Sequence, residues 1–106
     1  MTQWIDIAAE GSLVPGEPLH IEHHGQTIAV FLIEDEVFAI EDICSHDRSP
    51  ISDGCIEGGE IICPRHGARF CLRTGQALTA PAYEDIETFP VRTEAGRLWL
   101  ALSDGH

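Results

Sequence analysis

Two short segments, Cys44-Ser45-His46 and Cys63-Pro64-Arg65-His66, stand sixteen residues apart. A fold that uses them as one site must bring both loops to the same place. Each segment offers one thiolate and one imidazole. Zinc sites also mix these residues, but their commoner patterns keep like ligands together, as cysteine pairs and histidine pairs. Two loops that each give one sulfur and one nitrogen suit a two-iron cluster, with one iron taking both sulfurs and the other both nitrogens. A structural zinc domain is the competing reading of the same four residues.

Around these loops the chain reads as short strands with turn punctuation and no helix. Trp4 to Ile7 is a short first strand, and Leu19 to Glu22 alternates apolar and polar residues as a half-buried strand does. Thr27 to Ile33 is a longer β-branched run that turns through Glu34-Asp35-Glu36 into Val37 to Ile40. Glu60 to Cys63 leads into the second ligand loop and Arg69 to Leu72 leaves it, with Thr74-Gly75 as a tight turn. Glu87 to Arg92 and Arg97 to Leu102 form a closing hairpin. Close-spaced strands of this kind indicate an all-β fold, an antiparallel sandwich or barrel. The reading is a single domain over residues 1–106. A loop-rich cluster-binding module spans about 41–82 and sits on a base of 1–40 and 83–106.

Four cysteines could make two disulfides, but two belong to the ligand loops. Cys55 and Cys71 then read as reduced, buried, small apolar residues. No apolar run approaches the ~18 residues of a membrane-spanning candidate. The opening Met1 to Asp6 lacks a basic segment followed by an apolar stretch, so no signal peptide is expected and the expected location is the cytoplasm. A net charge of −12 argues against nucleic acid or an anionic membrane as partner. From Cys44 to Arg73, Arg48, Arg65, Arg69 and Arg73 balance Asp47, Asp53, Glu57 and Glu60; the remaining fourteen acids and two arginines carry the whole excess. An acidic scaffold keeps a protein soluble and can also steer it toward a basic docking surface.

The text around the ligands, Cys44-Ser45-His46-Asp47 and Cys63-Pro64-Arg65-His66-Gly67, resembles the two cluster loops of Rieske proteins. From Ile40 to Tyr83, and more loosely over nearly the whole chain, it is similar to the small Rieske ferredoxins of bacterial ring-hydroxylating oxygenase systems. Arg73-Thr74-Gly75 and Pro81-Ala82 match that family's turn and its proline loop beside the cluster. The resemblance implies one [2Fe–2S] cluster held by Cys44, His46, Cys63 and His66, the histidines binding through Nδ1. It also implies a monomeric one-electron carrier between a flavin-dependent ferredoxin reductase and a terminal non-haem iron oxygenase, not itself an enzyme. The alternative is a Rieske subunit bound permanently in a larger oxidoreductase, such as the small subunit of nitrite reductase. A catalytic oxygenase subunit is not expected, since 106 residues leave no separate domain for a mononuclear iron.

The resemblance is to the low-potential branch. Rieske proteins of respiratory cytochrome bc complexes carry an extra cysteine in each loop, joined by a disulfide. Here the second-loop position is Arg65, and Asp47, Arg48 and Ser49 supply no cysteine either. That branch also has a serine and a tyrosine donating to sulfur, where this chain has Ala68 and Phe70. Hydrogen bonds to sulfur favour the reduced cluster, so their loss implies a potential at the low end of the Rieske range, roughly −150 mV. His20, His23 and His24 read as surface histidines, and Trp4 and Trp99 as sheet packing.

Overall fold

The run from Thr27 to Ile33 does not alternate apolar with polar residues, and the computed structural model shows why: it is covered on both faces. The structure describes residues 2–15, 17–23, 25–44, 50–64, 67–80 and 84–103. Ten strands follow one another: Thr2–Ala9 (β1), Leu19–His23 (β2), Gln26–Ile33 (β3), Glu36–Glu41 (β4), Cys55–Glu57 (β5), Glu60–Ile62 (β6), Arg69–Cys71 (β7), Thr88–Phe89 (β8), Val91–Glu94 (β9) and Arg97–Ser103 (β10). There is no helix among the described residues, and so none long and apolar enough to cross a membrane. The strands form three antiparallel sheets, β1-β10-β9, β2-β3-β4-β8 and β5-β6-β7.

The middle sheet carries a core on each side because successive strand residues point to opposite faces. Ile28 and Val30 of β3 pack with Ala39, Phe89, Leu100 and Leu102, which joins the middle sheet to β10. Ala29 and Phe31 pack on the other side with Ile40, Cys44, Ile51, Ile61, Cys63, Ala68 and Phe70. Phe31 and Phe70 are almost wholly buried, and removing a side chain of that size from water contributes about 2 kcal/mol. Cys44 and Cys63, the expected sulfur ligands, thus both belong to the second core.

Tight turns fix the strand registers. Glu34-Asp35 joins Ile33 to Glu36, Gly58-Gly59 joins Glu57 to Glu60, and Ala95-Gly96 joins Glu94 to Arg97. All six turn residues have positive φ, as two-residue type I′ hairpin turns require. Glu36 is therefore a strand residue and not part of the solvated turn expected from sequence. Its carboxylate takes both guanidinium nitrogens of Arg73, at 2.6 and 3.0 Å.

The closing hairpin also differs from expectation. Glu87 to Arg92 is not one strand: Thr88 and Phe89 pair with β4, whereas Val91 to Glu94 pairs with β10. Pro90 stands at the switch between sheets. It has no N–H for a ladder, but its carbonyl still accepts from Ala101 N at 3.0 Å.

Candidate metal centre

Cys44 lies just beyond β4, and Cys63 follows directly on β6. Their exposures are 0% and 1%, they share one apolar cluster, and neither is disulfide-bonded. Two buried, unbridged thiols in one core are an appropriate donor set for the sulfur-bound iron of a mixed-ligand cluster. His46 and His66, the expected imidazole ligands, lie outside the described residues, as do Arg48, Arg65 and Pro81.

The second loop is closed at its neck. Cys63 N donates to Ala68 O at 2.7 Å, and Gly67 N donates to Cys63 O at 3.0 Å. These two amides, which could have faced a sulfur, are engaged within the loop. Gly67 has φ +74°, a conformation that glycine adopts without the penalty a Cβ brings. Ala68 and Phe70 are both fully buried in the core that holds the two thiols. No hydroxyl is offered from either position. Ala68→Ser is expected to raise the reduction potential, since a hydroxyl there can donate to sulfur. A redox titration checks this, and an unchanged value would mean the new hydroxyl does not reach a sulfur.

The first loop is closed by a residue that the sequence did not single out. Asp42 Oδ1 accepts from Ile51 N at 2.9 Å and Ser52 N at 2.7 Å, and Oδ2 accepts from Ser52 Oγ at 2.9 Å. Asp42 N donates to Thr27 O at 2.9 Å, which anchors the same residue to β3. Asp42 thus ties Ile51 and Ser52, beyond the first loop, to the end of β4 two residues before Cys44. The only sequence signal was an acid two residues before Cys44, an expected ligand, next to the equally acidic Glu41. His20 Nε2 stands 2.9 Å from Ser52 Oγ and 3.5 Å from Asp42 Oδ2. His20 thus has a hydrogen-bonding role beyond that of a plain surface histidine. Among the described residues no group of three metal-binding side chains forms a second site.

The loops also touch through backbone. A Cβ on Gly54, just past Ser52, would stand 1.9 Å from Ile62 O, one residue before Cys63. The exit of the first loop is therefore pressed against the entry to the second.

The described arginines are all ion-paired: Arg69 with Glu57 and Glu60, Arg73 with Glu36, Arg92 with Glu94, and Arg97 with Asp6. The Arg73 guanidinium holds the Glu36 carboxyl below the usual carboxylate range. Trp4 stacks under Arg92, whose guanidinium is 4.4 Å from the ring centroid, and Trp99 Nε1 donates to Glu94 O. Both rings pack on sheet β1-β10-β9, as expected.

The two remaining cysteines differ from expectation. Cys55 is exposed and Cys71 is half-buried, though both are free thiols as foreseen. Cys55 shares a strand face with Glu57, while Ile56 between them turns toward the core. The Thr74 hydroxyl, against the effect of burial, draws the Cys71 thiol below its ordinary value, helped by the Thr74 and Arg73 amides.

The family model described as "Rieske [2Fe-2S] domain" matches residues 3–90. The ferredoxin component of the naphthalene 1,2-dioxygenase system of Pseudomonas aeruginosa is 39% identical over 101 residues, covering 95% of this chain and 97% of its own. Among solved structures, a chain in the complex of reduced oxygenase and oxidized ferredoxin in carbazole 1,9a-dioxygenase superposes with TM-score 0.84 at 29% identity, covering 92% of each chain. A putative NADH-dependent nitrite reductase small subunit from Mycobacterium tuberculosis shares the fold, with TM-score 0.83, 22% identity and 99% of each chain covered.

Proposed function

Because this chain belongs to the Rieske [2Fe–2S] domain family, we propose that it is the ferredoxin component of an aromatic-ring dioxygenase system. In that role it is an electron carrier and not itself an enzyme. The observation that carries this reading is the match to a dioxygenase ferredoxin over nearly the full length of both chains. The nitrite reductase subunit shares the fold at an identity that supports nothing finer.

Cys44 and Cys63 would hold one iron and His46 and His66 the other. When bound, the cluster accepts and returns one electron. The protein's part is to keep both thiolates dry, to hold the two loops against each other, and to tune the potential. Ala68 and Phe70 supply no hydroxyl to offset negative charge gained on reduction, which fits a low potential, roughly −150 mV. Residues of about 41–82 form the cluster-binding module, carried on 1–40 and 83–106 within one domain.

A monomer working in the cytoplasm would take electrons from a flavin-dependent ferredoxin reductase and pass them to a terminal non-haem iron oxygenase. Contact would centre on His46 and His66, with Asp47, Arg48, Arg65 and Pro81 around them. The acidic scaffold would draw it to basic partner surfaces and speed encounter at low salt. The test combines the holo-protein with NADH, a flavoprotein ferredoxin reductase and a ring-hydroxylating oxygenase. Oxygenase turnover that depends on added carrier is expected. Absence of transfer, with the chain instead copurifying with a large reductase subunit, would favour the permanently bound alternative.

A further inference from the structure

Asp42 is a buried acid that the ligand set does not use. Its side chain is 5% exposed, and no arginine pairs with it among the described residues. Its three hydrogen bonds all arrive from donors: two amides on Oδ1 and the Ser52 hydroxyl on Oδ2. A carboxylate accepts all three, with charge-assisted strength. Since Ser52 gives its one proton to Asp42, the 2.9 Å contact with His20 must be donated from His20 Nε2. The half-exposed imidazole thus backs the buried charge from the solvent side.

We infer that Asp42 is a positioning residue that also sets the reduction potential, through a fixed negative charge at the base of the first ligand loop. It lies two residues from Cys44, so the backbone separates their Cα atoms by at most about 7 Å. A negative charge at the base of that loop opposes the arrival of an electron, and burial leaves it poorly screened by salt. The same carboxylate holds residues 51 and 52 against the end of β4, so one side chain governs both loop position and potential. This rests on the proposed ligand assignment for Cys44.

The test is potentiometry with EPR detection on purified holo-protein, wild type beside Asp42→Asn and His20→Ala. Asparagine keeps an oxygen for the Ile51 and Ser52 amides and removes the charge. A shift to more positive potential, persisting as ionic strength rises and with the line shape retained, is expected. An unchanged or lower potential with an intact spectrum would overturn the inference. Should the Asn variant fail to load a cluster, His20→Ala decides, because the exposed imidazole holds no loop backbone. Its loss leaves the carboxylate less compensated, so a more negative potential supports the inference and an unchanged or higher one overturns it. A wild-type protein without any Rieske signal would instead overturn the ligand assignment.

Discussion

Replacing His66 with Ala is expected to abolish the Rieske spectrum. In the proposed ligand set the variant would remove one of two imidazoles from the iron that takes no sulfur from the protein, and alanine offers no donor in its place. Loss of a mere supporting group around a metal ligand typically costs about 10–100-fold in affinity, so loss of the ligand itself should cost more. Iron content and the EPR signal after reduction should both fall to background. Stability should fall too, because a cluster that binds only the folded chain stabilises it and cross-links both loops. Cys44 and Cys63 sit in a core built largely of Phe31, Ile40, Ile51, Ile61 and Phe70, so the apo-variant should keep its β-sheet circular dichroism. An intact Rieske spectrum in the variant would refute the ligand assignment.

Gly54→Ala is expected to be strongly damaging, because it strikes the backbone contact between the two loops. The added Cβ would meet Ile62 O at 1.9 Å, Ile62 C at 2.9 Å and Ile51 O at 3.1 Å, all backbone atoms. No flexible side chain can yield, so either the Ser52–Gly54 turn or β6 must move. The turn is tied by Gly54 N to Ile51 O and by Asp42 to Ser52, and β6 leads straight into Cys63. A loss of about 3 kcal/mol, the upper end of what overpacking typically costs, is expected from denaturant unfolding, together with reduced cluster content. The contrast is Gly58→Ala, where nothing lies within 4 Å of the new Cβ and only the positive φ is strained. That change should cost about 1–2 kcal/mol and leave cluster content unchanged. Equal effects from the two variants would show that backbone contact between the loops does not matter.

Much of this was legible in the chain itself. The mixed Cys and His spacing marked the Rieske family, to which the chain belongs, and the β-branched and alternating runs marked seven of the strands within a residue or two at most ends. What escaped has physical causes. Strand β5 is three residues long, too short for a period to register, yet its alternation held a usable clue. Glu57 must face water, so Cys55 two residues earlier faces water with it, against the general tendency of cysteine to be buried. The split at Pro90 depends on which neighbour each side of it finds, a tertiary choice that local sequence does not express. Asp42 was hidden because a charged residue reads as surface until its donors are known, and these come from Ile51 and Ser52 across the loop.

The most direct test of the central claim is a redox titration of the purified holo-protein followed by EPR. A single Rieske-type signal, appearing with one-electron reduction at roughly −150 mV, is the expected result. A signal that titrates well above zero would keep the cluster but contradict the low-potential carrier. No signal, with zinc bound in place of iron, would contradict electron transfer altogether.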